Sequence, residues 1–175
     1  MINIKNKKKE FLLELMNKNI KKVLDLGCGK AIMSRFFVKQ GAKAIGIDIK
    51  KRCEDFDNFK FIEGNIINTD FGEDNNLIIA SLVLHFYKKE ITQRVIEKMK
   101  KATSLGGYNL LICMSNEDEA AKRKLENFYP TLQELENFYS DWKIIKKLND
   151  ITEIEEHGEQ GPHQHNLIFL LVQKK

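Results

Sequence analysis

Apolar residues along the chain switch repeatedly between a helical and a strand period. Phe11, Leu12, Leu15 and Met16 recur at helical spacing within about Lys5 to Asn17, which predicts a leading helix inside residues 1–20. Val23, Leu24 and Leu26, interleaved with Asp25, then read as a short buried strand. Ile32, Met33, Phe36 and Phe37 return to helical spacing as far as about Gln40, and Gly41 is a C-cap residue type. A second strand, AKAIGIDI, ends in Asp48, and a third covers Phe59 to Glu63. Asn76 to Leu84 is a nearly continuous apolar run, the pattern of a central strand covered on both faces. Ile91, Val95, Ile96 and Met99 mark a helix over about Lys88 to Thr103, and Leu105-Gly106-Gly107 turns the chain into a fifth strand, YNLLICM. Ser115 to Trp142 reads as helical and highly charged, interrupted at Pro130, with Thr131 and Glu134 spaced as a capping box. Lys143 to Ile154 and Leu167 to Val172 are the last two strands.

Strands that alternate with helices predict a doubly wound α/β domain. Its first turn carries the chemistry. VLDLGCGKA places Gly27 and Gly29 around Cys28 between a strand and a helix, the arrangement that brings backbone N–H groups up to a nucleotide-like ligand. A dinucleotide fingerprint would carry a third glycine three positions after Gly29, where this chain has Ile32. Asp25, two residues before Gly27, would repel a pyrophosphate and attract a cationic amine. S-adenosylmethionine carries an ammonium and a sulfonium and no phosphate, so the carboxylate favours that cofactor.

The 175 residues suit one domain, 1–175, with one core and no separate substrate domain. A content of 42% hydrophobic and 31% charged residues is that of a water-soluble chain. No apolar run approaches the ~20 residues that cross a bilayer, and MINIKNKKKE lacks a signal peptide's apolar segment, so no membrane association and a cytoplasmic location are expected. Cys28, Cys53 and Cys113 form no CxxC pair, which suggests neither a zinc knuckle nor a disulfide framework. The net charge of +4 has one dense cluster, Lys5 and Lys7 to Lys9, read as a solvated helix face. Phe128, Tyr129, Phe138, Tyr139 and Trp142 lie among acidic residues, which argues for packing against the sheet and against a polyanionic partner. Nucleic acid is therefore not the expected partner.

VLDLGCGKA followed by GAKAIGIDI resembles the first two motifs of class I S-adenosylmethionine-dependent methyltransferases, and the resemblance runs from about Val23 to Lys175. One departure is Ala31, where such loops often have a third glycine. The resemblance implies a Rossmann-like, seven-stranded sheet, mostly parallel with one antiparallel strand near an edge. It implies that Asp25, Gly27 and Gly29 hold the amino-acid part of the cofactor, that Asp48 holds the ribose hydroxyls, and that Asn65 and Ile66 meet the adenine. Asn65 stands where the family often has Asp; its side-chain oxygen can still accept a hydrogen bond. Cys28, Ile49, Ser81 and Leu82 complete the expected cofactor-binding set, Cys28 as a small side chain fitted to the turn.

Candidates for handling the methyl acceptor lie farther along. His85 follows the central strand at the mouth of the expected cleft, and an ordinary imidazole pKa of ~6.5 suits a base near neutrality. In the resembled fold the segment EEHGEQGPHQH lies on the same rim as the glycine turn, which brings His157, His163 and His165 to it. These histidines, with Glu155 or Glu156, are open to three readings: a divalent metal site, contacts to a small acidic or thiol-like acceptor, or a polar hairpin. His163 and His165 with His85 are the catalytic candidates, and no metal is assigned. The expected activity is methyl transfer from S-adenosylmethionine to a small-molecule nucleophile, similar to the tellurite-resistance type, by a monomer or homodimer. An RNA or protein methyltransferase and a non-catalytic cofactor-binding subunit are the alternatives. SLVLHF after the fourth strand is not the N/D-P-P-aromatic loop of amino-methylating DNA enzymes.

Overall fold

The computed structural model describes residues 1–156 and 161–175. After α1 (Ile4–Leu13) the chain alternates β1 (Lys22–Leu26), α2 (Ile32–Val38), β2 (Lys43–Asp48), β3 (Phe59–Glu63) and β4 (Asn75–Ser81). A single 3-10 turn over Leu84–Phe86 leads to α3 (Lys89–Ala102) and β5 (Thr103–Met114). The remainder comprises α4 (Glu119–Arg123), α5 (Leu132–Phe138), β6 (Lys143–Ile151), the short pair β7 (Glu155–Glu156) and β8 (Pro162–His163), and β9 (Asn166–Gln173).

Seven strands form one sheet in the order β3-β2-β1-β4-β5-β9-β6. Six run parallel, and β9 lies antiparallel between β5 and β6. The period of two along each strand divides the apolar residues into two layers. Leu77 and Ile79 of β4 face Phe11, Leu15 and Phe37 on the α1–α2 side. Ile78 and Ala80 face Val95, Ile96 and Met99 of α3 and Leu135 and Tyr139 on the other. Leu167 to Val172 are wholly buried, which is why that stretch reads as an unbroken apolar run.

Several boundaries differ from the sequence reading, each for a packing reason. The leading helix ends at Leu13 and Met16 is 49% exposed, because Leu15 alone turns inward after the helix. Ile32 is exposed although it has helical spacing with Phe36; Met33 and Phe37 carry the buried face of α2. The central strand stops at Ser81, since Leu82 adopts a left-handed backbone (φ 56°) and diverts the chain into the 3-10 turn. Residues 115–131 hold only the five-residue α4. The capping box is present at α5: Thr131 Oγ1 accepts from the Glu134 amide (3.1 Å), and Glu134 Oε2 accepts from the Thr131 amide (3.0 Å).

Candidate active site

Strand order reverses direction between β1 and β4, and ligands of open α/β sheets collect above the strand ends at such a point. There the chain after β1 turns through three left-handed residues: Gly27 (φ 67°), Gly29 (φ 52°) and Ala31 (φ 54°). For an alanine that backbone costs roughly 1 kcal/mol. The amides of Gly27 and Cys28 donate to the Ile47 carbonyl (2.8 and 3.2 Å), and the Gly29 amide donates to Asp48 Oδ2 (2.9 Å). The turn is thus tied to the end of β2. A Cβ on Gly27 would lie 2.6 Å from Val83 Cγ2, whereas one on Gly29 would meet nothing within 4 Å. Gly27 serves a close approach and Gly29 faces open space.

That space is a cleft of about 590 Å³ lined by Gly27, Gly29, Asp48, Ile49, Asn65 and Ile66, with Arg52, Gly64, Leu82, Val83, Phe86 and Tyr87 completing it. Ile49 and Phe86 are exposed at its rim, and Ile66 is buried in its wall. Asp48 already accepts from two amides of its own chain, Gly29 at Oδ2 and Lys50 at Oδ1 (3.1 Å). A carboxylate has about four lone-pair positions, so two remain for a ligand's hydroxyls. Asn65 Oδ1 accepts from the Ile67 amide (3.0 Å) and the Tyr87 hydroxyl (3.4 Å). The oxygen assigned from sequence to an adenine amino group therefore also organises the turn that follows.

Asp25 lies behind the glycine turn, outside the lining of this cleft. Strand alternation puts it on the Val23 side of the sheet, where it is 3% exposed and accepts from Ser34 Oγ at 2.7 Å. Burial raises its carboxyl to about 6 against the opposing pull of the Ser34 hydrogen bonds and the Lys8 ammonium. Lys8 is itself lowered by desolvation and attracted by Asp25 and Glu155. Cys28 also turns inward: its sulfur packs under Gly46, where any Cβ would come within 2.6 Å of it. Burial pushes the thiol well above its ordinary value, and Cys53 is close enough to interact with it. Ser81 is half-buried at the end of β4 and, with Asp25 and Cys28, is one of the three predicted cofactor residues outside the lining.

A second cluster occupies the same rim beyond β5. The buried Asp118 accepts from His165 Nδ1 (3.1 Å) and the Asn166 amide (2.8 Å) at Oδ2, and from the Ala120 amide (2.8 Å) at Oδ1. Desolvation opposes its ionisation, but these donors hold it below the usual carboxylate value. The same pair raises His165, against partial desolvation. His163 packs edge-on against His165 with ring centroids 4.9 Å apart, and His163 Nδ1 lies 2.7 Å from the Gly161 carbonyl. His85 is 4% exposed, lies outside the cleft lining, stacks near Tyr129 and Phe86, and keeps a buried Nδ1 without a partner among the described residues. Desolvation lowers it to about 4, with Asp118 the opposing influence. His157 lies outside the described residues. Among the described residues no group of three or more His, Cys, Asp or Glu is arranged to hold a metal ion.

The family profile described as tellurite resistance protein TehB matches residues 13–170. The chain belongs to the TehB family. The probable S-adenosyl-L-methionine-dependent methyltransferase TehB of Haemophilus influenzae is 27% identical over 149 residues, covering 80% of this chain and 52% of that protein. The chain thus spans about half the length of the curated relatives it matches. The crystal structure of TehB from Haemophilus influenzae superposes with a TM-score of 0.77 at 20% identity, over 95% of this chain and 62% of that one. N-methyltransferase NodS from Bradyrhizobium japonicum, solved with S-adenosyl-L-homocysteine, gives 0.72 at 11% identity, over 98% and 88%. The fold of this TehB-family chain is therefore the Rossmann-like methyltransferase fold that the sequence suggested. No helix among the described residues is long and apolar enough to cross a membrane.

Asp118, Arg52, Val83 and the separate ties of Ser34 and Lys8 to Asp25 carry no local sequence signal. Asp118 and His165 stand 47 residues apart, and no local pattern joins them. Phe86 and Tyr87 follow His85 directly in the sequence but belong to no motif there. Strand parity did hold the information for Asp25, which shares a face with Val23.

Proposed function

We propose that this TehB-family chain binds S-adenosylmethionine in the cleft above β1 and β4 and transfers its methyl group to a small nucleophile. One observation carries the reading: an open glycine cradle bounded by apolar walls, with Asp48 on its rim and a buried Asp25 behind it. Ile49, Ile66, Leu82 and Phe86 offer flat apolar contact suited to an adenine, and the two unused lone-pair positions of Asp48 suit ribose hydroxyls. Asp25, held at a cost by burial, supplies negative charge behind the turn where a cation would settle. The residues fit the cofactor.

When bound, the sulfonium supplies an activated methyl group, so the chain's work is positioning, exclusion of water and proton removal. Phe86 and Tyr87 line the β4 side of the cleft, Phe86 exposed at its rim where a bound ligand would cover it. Asp118 fixes His165 through Nδ1 and favours its charged form, which equips His165 to take and hold a proton from the acceptor. His85 stays uncharged near neutrality and, buried outside the cleft lining, supports Phe86 of that lining by ring contact (centroids 4.3 Å apart). His163 orients His165 by ring contact.

Calorimetry with S-adenosylmethionine, followed by a screen for S-adenosylhomocysteine release over thiols, oxyanions, amines and RNA, tests this. Binding with turnover on a small nucleophile is expected. Absence of binding would overturn the cofactor reading. Binding with turnover on RNA alone, or on no acceptor, would replace the small-molecule assignment by a nucleic-acid enzyme or a non-catalytic subunit.

A further inference from the structure

Lys98 sits on α3, outside the cleft lining, yet it is bound to the wall of the cleft. Its Nζ donates to the carbonyls of Ile66 (3.1 Å), Ile67 (3.0 Å) and Thr69 (2.9 Å), and it lies 4.1 Å from the centroid of the Phe71 ring. An ammonium has three N–H donors, and three backbone carbonyls take all of them. Among the described residues no carboxylate stands within ion-pairing distance of it. Its charge is met by backbone oxygens and one aromatic face at close range, with Asp70 attracting it from farther off.

The segment it grips is the turn that carries Asn65 and Ile66. Inside that turn the Asn65 carbonyl accepts from the Asn68 and Thr69 amides (3.0 and 2.9 Å) and from Thr69 Oγ1 (2.8 Å). Asn65 Oδ1 accepts from the Ile67 amide, and the Gly64 amide is tied to the Asp48 carbonyl (2.9 Å). These bonds engage the Gly64, Ile67, Asn68 and Thr69 amides and use none of the Ile66, Ile67 and Thr69 carbonyls, which take a donor from elsewhere. Lys98 supplies it from behind, so Ile66 is held as a fixed wall of the cleft.

We infer that Lys98 is a positioning residue for the adenine end of the bound cofactor, fixing the Asn65–Thr69 turn and thereby setting cofactor affinity without taking part in methyl transfer. The inference rests on the cofactor reading above. Lys98→Met keeps the apolar stem and removes the three donors; Lys98→Arg keeps the charge, but its planar fork cannot converge on three carbonyls. Calorimetry of the wild-type chain with S-adenosylmethionine and with adenosine comes first: failure of both to bind would defeat the cofactor reading itself. With wild-type binding in hand, Lys98→Met is expected to weaken S-adenosylmethionine and adenosine by the same factor, about tenfold. The KM for S-adenosylmethionine should rise in step, kcat and the acceptor KM should hold, and Lys98→Arg should fall between. Unchanged adenosine affinity in Lys98→Met would overturn the inference, as would a parallel loss of kcat and acceptor KM. If Lys98→Met does not fold, Lys98→Arg decides by the same split.

Discussion

Replacing Asp25 by Asn should make the ligand-free protein more stable and its cofactor binding weaker. Asp25 is 3% exposed, its carboxyl is raised by burial to about 6 from 3.8, and Ser34 is its hydroxyl donor. At 1.36 kcal/mol per pH unit, that difference is about 3 kcal/mol of stability surrendered by the ionised side chain. The sign follows from proton binding. Between pH 3.8 and about 6 the folded chain holds this proton more tightly than the unfolded one, so stability falls as pH rises and levels off above about 6. Asn preserves the shape and an oxygen for Ser34 but carries no charge. Lys8 loses an attracting partner in the exchange, which takes back part of the gain.

The net expectation at pH 7.5 is a gain of about 1–3 kcal/mol for Asp25→Asn, shrinking to nothing near pH 4. Urea unfolding of both proteins at intervals from pH 4 to 8 measures it, since the linear extrapolation yields both stabilities and the slope confirms that the same surface is exposed. Calorimetry on the same samples should show S-adenosylmethionine affinity falling at least tenfold. A variant no more stable than wild type at pH 7.5, or a difference that does not change with pH, would refute the argument that Asp25 is a destabilising charge retained for a cationic ligand. A stabilised variant with undiminished affinity would leave the charge real and its purpose wrong.

His85 should act in the opposite direction: with its folded pKa near 4 against 6.5, the unfolded chain binds the extra proton, and about 3 kcal/mol of stability is lost as pH falls through that window. His85→Leu should flatten this acid limb in calorimetric melting, and a variant that keeps it places the limb elsewhere. Gly27→Ala combines a left-handed alanine with overlap on Val83 and should cost about 2–4 kcal/mol in chemical denaturation. Gly29→Ala should cost only about 1 kcal/mol, since its methyl meets no protein atom, yet should weaken the cofactor because the methyl enters the cleft; unchanged binding would remove Gly29 from the site. Asp118→Asn retains an oxygen for the Ala120 amide but removes the charge facing His165, so the His165 titration followed by NMR should move down toward the ordinary imidazole value, and the activity profile should follow.

What the chain discloses in advance depends on how local each interaction is. β1 to β5 and β9 were legible because burial on one or both faces imposes a pattern within five to twelve residues. The glycine turn was legible because no other residue type enters that backbone freely, although Ala31 shows that one alanine is tolerated there. The capping box at Thr131 spans three residues and was equally plain. Residues 115–131 were misread as mostly helical because their charge density suggests an amphipathic surface, whereas Asp118 is buried and committed to His165 and Asn166 from across the chain. The partners of Lys98 are likewise about thirty residues distant.

The placement of charge along the rim argues for a division of labour that neither motif alone would imply. Two buried carboxyls lie near it in contrasting states, Asp25 behind the glycine turn and raised because few donors compensate its burial, Asp118 beyond β5 and lowered because three donors do. Two histidines contrast in the same way, His85 uncharged in an apolar stack and His165 biased toward its cation by Asp118. Groups of one type pushed apart by their surroundings mark separate tasks. The acid that Ser34 and Lys8 compensate only in part lies behind the glycine turn, where a cationic ligand would relieve it further, and the fully compensated acid lies beyond β5, where it makes an imidazole a stronger base. A cation donor on one side and a proton-bearing nucleophile on the other is the pairing that satisfies both at once.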